Sequence, residues 1–313
     1  MAKQTAATAP ALKPPQVRLS KINRPGRFTP YVLLVPAIVV LLVALAYPVG
    51  WQIVTSLQHY GLKQQFGQPP EFVGAENYLS IFSDVQIWAV IIRSILFCLV
   101  NAVLTVVIGV LLSLLMNAVT KTARLVLQIS LLFAWAMPVV AAMTVWLWLF
   151  NWHHGVVNWL LGDSFTGHNW LEDPLSFFMV ATIIVVWMSV PFVAFSVYAG
   201  LTQVSGEVLE AAQLDGADGF KRFTNIILPM IRPVLMIVFL LQIIWDLRVF
   251  TQIQMLQDAG ADYTSTNLLG TFIYRTGVGA GDFGMAAAMS VFVLILTMAL
   301  SAPYVRSLIK EEG

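Results

Sequence analysis

Apolar residues in this chain fall in long blocks separated by short polar stretches. Five stretches contain no Lys, Arg, Asp or Glu: Phe28 to Leu62, Ser94 to Thr120, Leu125 to Gly162, Pro174 to Gly206 and Phe283 to Val305. Each holds the roughly 20 apolar residues that carry a helix across about 30 Å of hydrocarbon. A sixth block, Ile231 to Leu256, is interrupted by Asp246 and Arg248. Its fifteen Leu, Ile, Val and Phe residues favour insertion by about 5 to 9 kcal/mol, and its two central charges oppose it by about 5 to 7 kcal/mol. A balance near zero predicts a span that faces protein or a water-filled cavity. The pattern therefore predicts an all-α polytopic membrane protein, with six transmembrane helices near 28–56, 88–117, 125–150, 175–201, 231–256 and 283–306.

Composition agrees. Of 313 residues, 58% are hydrophobic and 11% are charged, against about 25% charged in an average soluble domain. This excludes a disordered chain, a collagen-like chain and an ordinary soluble enzyme. The single cysteine, Cys98, excludes a disulfide framework and any cysteine-built metal site. The net charge of +1 gives no reason to expect nucleic acid, and no metal ligand set is expected.

Charge placement sets the expected orientation. Residues 1–27 carry Lys3, Lys13, Arg18, Lys21, Arg24 and Arg27. Lys121 and Arg124 lie in the loop 117–124, Lys221, Arg222 and Arg232 in 202–232, and Arg306 and Lys310 in the tail. All fall on one side if the spans alternate, which leaves Lys63, Arg275 and, near the outer end of span two, Arg93 opposite. The positive-inside rule then places both termini in the cytoplasm, with 1–27 as a cytoplasmic arm. The first apolar run is too long for a signal peptide, so an uncleaved span is expected despite Ala44-Leu45-Ala46. On the outer side, residues 151–174 hold Trp152, Trp159, Trp170, His153, His154 and His168 without Lys or Arg. The Trp residues read as an interfacial belt, and the His residues as hydrogen-bonding or interfacial groups. Arg93 is expected to snorkel to the outer interface.

The segment 202–230 is too polar to span and too patterned for a linker. It reads Glu210-Ala211-Ala212-Gln213-Leu214-Asp215-Gly216-Ala217, followed by Phe223, Ile226, Leu228-Pro229 and Pro233. Ser205 suits a helix cap near Gly206, and Glu207 and Glu210 lie in the first turns, where the helix dipole favours anions. Ala211 and Ala212 are expected to leave a flat surface for another protein. Gly216 is expected to end the helix, and Pro229 and Pro233 to reset the chain direction.

Glu-Ala-Ala-x-x-Asp-Gly-Ala, with Phe, Ile and Leu-Pro at this spacing, resembles the coupling-loop signature of bacterial ABC importer permeases. The resemblance extends along nearly the whole chain and is nearest to the maltose-type sugar permease subunit. Tyr47-Pro48, Phe72-Val73-Gly74, Asn77-Tyr78, Trp187 with Pro191, and Asp282-Phe283-Gly284-Met285-Ala286-Ala287-Ala288 also fit that pattern. Where the family usually has a Thr-x-Gly-Gly-Pro turn after span five, this chain has Gln257-Asp258-Ala259-Gly260-Ala261.

The resemblance implies the type I ABC importer permease fold over 28–313 in a bacterial inner membrane. It also implies import of a carbohydrate of di- or oligosaccharide size by alternating access. Implied partners are a second permease subunit, two copies of an ABC ATPase and an extracytoplasmic solute-binding protein. No cofactor is implied in this chain; ATP and Mg belong to the ATPase, and no Gly-x-x-x-x-Gly-Lys-Ser/Thr loop is present here. ATPase coupling is implied for Glu207, Glu210, Ala211, Ala212, Asp215, Gly216, Ala217, Phe223, Leu228 and Pro229. A substrate pathway is implied for Trp135, Val139, Val185, Met188, Ser189, Phe192, Gln242, Asp246 and Val249. Helical spacing puts 185, 188, 189 and 192 on one face and 242, 246 and 249 on another. Asp246 and Arg248, two apart, are expected to point differently, with Arg248 serving either an ion pair with the second permease or the pathway. Pro138 and Pro191 are expected to kink their helices. Other readings are the same machine carrying an amino sugar or a glycerol-phosphate compound, a proton-coupled carrier using Asp246, or a membrane enzyme. The last two leave the coupling-loop pattern unexplained.

Overall fold

The computed structural model describes the backbone of residues 29–312. The expected N-terminal arm, 1–27, lies outside the described residues. The segment through Gly50 is a separate unit. It consists of α1 (Thr29–Leu41) and a π turn, Leu42–Ala46, leading into α2 (Tyr47–Ser56).

The rest begins with a short β-ribbon, β1 (Gln58–His59) against β2 (Glu71–Phe72), with α3 (Leu62–Gln65) between them and α4 (Glu76–Ser83) after it. Then come α5 (Val85–Ala118), α6 (Lys121–Ala136), α7 (Val139–Leu149), α8 (Val156–Leu161) and α9 (Pro174–Leu201). Beyond these follow α10 (Gly206–Leu214), α11 (Gly219–Arg222), α12 (Leu228–Asp246), α13 (Thr251–Asp258), α14 (Tyr263–Thr266), α15 (Leu269–Tyr274) and α16 (Phe283–Glu312). Among the described residues, five helices are long and apolar enough to cross a membrane, and six if the bent pair α6–α7 counts as one span.

One expected span is sharply bent and another is interrupted. The third is not one rod: α6 and α7 meet at 101°. Pro138 follows Met137 at the break, and a residue before proline is driven out of helical geometry. The fifth lies within one apolar stretch, Gly219–Asp258, long enough to cross, but its helix is interrupted after Asp246 and resumes as α13. The apolar run hides this break because Leu247, Val249 and Phe250 continue it in sequence. By contrast, α9 continues through Pro191.

The long helices start and stop where local chemistry permits. The Asp84 side chain accepts from the Gln86 N–H to cap α5, and Asp173 accepts from Leu175 and Ser176 to cap α9. Arg124 donates to the carbonyls of Met116, Asn117 and Val119, covering the C-terminal end of α5. α5 and α9 approach closely because Gly109 faces Val193, where an added Cβ would lie 2.6 Å from a valine methyl. Small residues at such crossings are the usual device in hydrocarbon. α12 completes a three-helix centre, with Val193, Val197, Leu201, Ile231 and Val238 buried together.

Several resemblance motifs on the outer side have structural roles. Asn77 donates to the carbonyls of Ser56 and Gln58, and the hydroxyls of Tyr78 and Ser56 are 2.7 Å apart. The N–H groups of Val73 and Gly74 both donate to the Leu57 carbonyl. Gly284 lets the ribbon lie on the start of α16: its N–H donates to the Tyr60 carbonyl, and a Cβ there would meet the Gln58 oxygen at 2.3 Å.

Arg93 does not snorkel as expected. Its guanidinium donates to the carbonyls of Thr264 and Asn267, tying α5 to the outer turn before α15. In that turn, hydrogen bonds from Thr264 and Ser265 hold the Asp262 carboxyl well below the usual carboxylate range. A depressed carboxylate stabilises the fold above its ordinary pKa of about 3.9, and that contribution is lost only as pH falls through the lower folded value. Asp262 should therefore add no pH dependence to stability between about pH 5 and 8. Replacing Gly109 with Leu should lower stability by about 1–3 kcal/mol through overpacking. Replacing Gly206 with Ala, where nothing lies within 4 Å of the added carbon, should change it little. Thermal melting of the purified protein in detergent checks both.

Candidate functional site

Two regions of different chemistry lie along α9. Its 28 residues span about 42 Å at 1.5 Å per residue. The patterned loop follows its C-terminal end. Ser189 lies about 18 Å from that end, near mid-length.

The loop helix, α10, ends in a Schellman motif. The Ala217 N–H donates to Ala212 O, the Gly216 N–H donates to Gln213 O, and Gly216 has φ +80°. This accounts for glycine at 216, because a side chain in left-handed geometry costs about 1–2 kcal/mol. Space is not the reason, since nothing lies within 4 Å of its added carbon. Asp218 then accepts from the Lys221 N–H and starts α11.

Other expectations for this loop change. Ser205 occupies the cap position, but its hydroxyl makes no capping bond. Ala212 is buried against its own chain, so the expected flat surface is lost there. Glu207, Glu210, Ala211, Asp215 and Gly216 are exposed, and Ala217 and Phe223 are half-buried. Leu214 is 89% exposed, the largest apolar group that the helix leaves uncovered. Pro229 and Pro233 do not redirect the chain. A π turn over Phe223–Ile227 absorbs the missing Pro229 donor, with the Leu228 N–H bonding Phe223 O, and the helix runs on into α12. Leu228 and Pro229 are exposed on its first turn.

The second region is a cavity of about 250 Å³. It opens where α12 stops, between Val185 and Ser189 of α9 and the segment Trp245–Gln252. Asp246 is 3% exposed. Because the helix ends at Asp246, Arg248 sits in a turn, and both charges line this one cavity, contrary to the expectation from helical spacing. Val249 also lies beyond the helix, so it reaches the cavity through the turn and not through a shared helix face. Thr251 and Gln252 add polar atoms, and the Gln252 amide points to the Met188 sulfur at 3.7 Å.

The remaining pathway candidates lie elsewhere. Gln242 is fully buried and does not line the cavity; neither of its amide atoms has a partner among the described residues. Trp135, Phe192 and Trp245 form an aromatic chain, with centroids 6.5 and 4.9 Å apart. Only Trp245 of the three reaches the cavity. Val139 packs on the core built around α9 and α13. Sequence reasoning passed over Trp245, which lies in α12, and over Phe250, Thr251 and Gln252, which reach the cavity because the helix is interrupted before them. The paired charges at 246 and 248 were the available signal. Among the described residues, no three His, Cys, Asp or Glu side chains converge as a metal site.

Comparison with known proteins identifies the class. The family described as "binding-protein-dependent transport system inner membrane component" matches residues 105–306, and the chain belongs to it. The protein is thus a multi-pass inner-membrane subunit of a binding-protein-dependent transporter. It is 39% identical over 299 residues to the diacetylchitobiose uptake system permease protein DasB of Streptomyces coelicolor, covering 94% of this chain and 91% of that one. It is 32% identical over 279 residues to the trehalose/maltose transport system permease protein MalF of Thermococcus litoralis, covering 88% and 92%. These relatives bear out the resemblance to maltose-type sugar permeases. A permease in a crystal structure of a bacterial alginate ABC transporter, in complex with an alginate pentasaccharide-bound periplasmic protein, shares the fold. It has a TM-score of 0.75 and 21% identity, covering 88% of this chain and 92% of that one.

The geometry predicts which positions water reaches. Ser189→Cys and Gln252→Cys should react with a small methanethiosulfonate reagent, and Gln242→Cys should not. The native Cys98, 1% exposed, should stay silent. Mass spectrometry of the labelled protein in lipid discs reads all three.

Proposed function

We propose that this chain is one half of the pathway of an ATP-driven importer that carries a carbohydrate of di- or oligosaccharide size into the cell. The loop helix α10 is the input. It is the exposed, Schellman-capped element at the end of α9, and it presents Glu207, Glu210, Ala211 and Asp215 to a groove of an ABC ATPase. Two copies of that ATPase bind and hydrolyse ATP with Mg, and this chain contributes no catalytic group. ATP-driven closure moves α10, and the unbroken helical path from α11 through the π turn to α12 transmits the motion to the cavity. A second permease supplies the other wall, and an extracytoplasmic solute-binding protein delivers the cargo. Both termini lie in the cytoplasm in this reading. Alternating access then needs only that ATP bind one global state better than the other.

The observation that carries the cargo class is the cavity itself. It is small and polar, and both the Asp246 carboxyl and the donor-only Arg248 guanidinium line it. Sugar hydroxyls both donate and accept, so they suit this pair. A phosphate cargo would want more cations than Arg248. Within the saccharides, the relative named for diacetylchitobiose favours an amino-sugar disaccharide as the second reading.

The test is uptake in proteoliposomes that hold the complete transporter. Import should require ATP and the binding protein, and a protonophore should leave it unchanged. Gly216→Val should still insert and assemble but lose import, because left-handed backbone no longer ends α10 at its proper place. Asp246→Asn should cut import at least tenfold while ATPase activity persists. Import driven by a proton gradient without ATP, or normal uptake by Gly216→Val, would overturn this reading.

A further inference from the structure

The outer connection 151–173 contains a second concavity, separate from the pathway. Its volume is about 440 Å³, within the range of small-ligand sites, about 300–1,000 Å³. Trp152, His153, His154, Asn158, Trp159 and Asp163 line it. Trp159 is 79% exposed and Trp152 45%, although tryptophan is highly buried on average.

A belt residue anchored in lipid needs no concavity and no fixed scaffold, yet this loop has both. The Asn151 side chain accepts from the N–H groups of His153 and His154. Asn158 donates to the carbonyls of Trp152 and His168 and accepts from the Trp170 indole. Phe165 stacks on Trp170 at 5.7 Å, almost parallel. An aromatic series continues inward from Trp170 to Phe150, Trp146 and Trp187, with centroids 5.8, 6.1 and 5.5 Å apart. The loop is thereby fixed to the helix whose next residue, Met188, meets Gln252 beside the cavity.

Charge narrows the ligand. Residues 151–174 contain no Lys or Arg, and they carry Asp163, Glu172 and Asp173. Nothing there attracts a phosphate or an anionic headgroup. Exposed indoles offer apolar faces, and His, Asn and Asp offer planar hydrogen-bonding edges around them. That combination fits a neutral sugar ring, which has an apolar face and a hydroxyl rim. We infer that this loop pocket is an extracytoplasmic saccharide-holding site, distinct from the membrane cavity, where cargo rests between the binding protein and the pathway. The inference rests on the carbohydrate reading above.

The test uses the complete transporter in lipid discs, with fluorinated tryptophan and without the binding protein. Maltose, trehalose and diacetylchitobiose serve as probes. Fluorine resonances of Trp152 and Trp159, assigned with Trp→Phe variants, should shift saturably with at least one probe. Trp159→Ala should weaken the affinity read at Trp152 by about three- to tenfold, as loss of one ring contact would. It should raise the KM of uptake and leave kcat unchanged. If a probe is imported but moves neither resonance, the loop site is wrong and the carbohydrate reading stands. If the resonances answer to a change of lipid headgroup and not to sugar, the tryptophans are a membrane belt and the inference fails. If no probe is imported and none shifts a resonance, both readings fall.

Discussion

Hydrocarbon offers no hydrogen bonds to a peptide group, and this architecture turns on that fact. An exposed break in a spanning helix would leave backbone groups unmet at several kcal/mol each. Breaks therefore survive only against protein or a water-filled space. The break after Asp246 obeys that constraint, whereas residues 135–138 at the other break are exposed in this chain. Beyond the Met137–Pro138 break, α7 packs on α13 and the core of α9. The break after Asp246 opens on the polar cavity. The cavity is thus where the chain can afford an interrupted helix, and the interruption in turn brings Asp246, Arg248 and Gln252 to one space.

The two ends of α9 are built to opposite ends. At the loop end, every local choice gives a short helix a fixed stop: left-handed Gly216, two reversed hydrogen bonds, and Asp218 starting the next turn. An exposed helix of nine residues is marginal alone, since isolated helices shorter than about 12–15 residues rarely persist in water. Ala212 and half-buried Leu209 anchor it to the body, leaving its acidic side free. At the outer end, Asp173, Asn158 and the aromatic series make the connection stiff.

The sequence showed the number of hydrophobic blocks, their approximate limits and the loop motif, because each is written in consecutive residues. Gly216 was legible as a helix end for the reason the structure gives. The bend at Pro138 was foreseen as a kink but not its size of 101°, and the interruption after Asp246 was not, since Leu247, Val249 and Phe250 keep the segment apolar around the two charges. Ala212 misled because small size suits both close approach by a partner and burial in its own chain. Arg93 misled because a cation near a span end can reach headgroups or carbonyls, and only the fold brings Thr264 and Asn267 within range. Asn77 and Gly284 matched the family pattern without disclosing that their roles are a double carbonyl contact and a close backbone approach.

The cations outside the group expected to face the cytoplasm can be sorted by what they touch. Arg93 is committed to the carbonyls before α15. Arg275 lies over the Tyr263 ring, 3.0 Å from its centroid. Lys63 is exposed on α3, between the two strands of the ribbon. Arg248 differs from all three, because it lines the cavity beside a buried carboxylate. Asp246 and Arg248 thus share a space of about 250 Å³ at the interruption of α12. Both are costly in hydrocarbon, and a polar cavity between helices is the setting in which a span can keep such side chains. The near-zero insertion balance and the cavity are therefore two views of one constraint: this span needs protein or water, and not lipid, on the face that carries its charges.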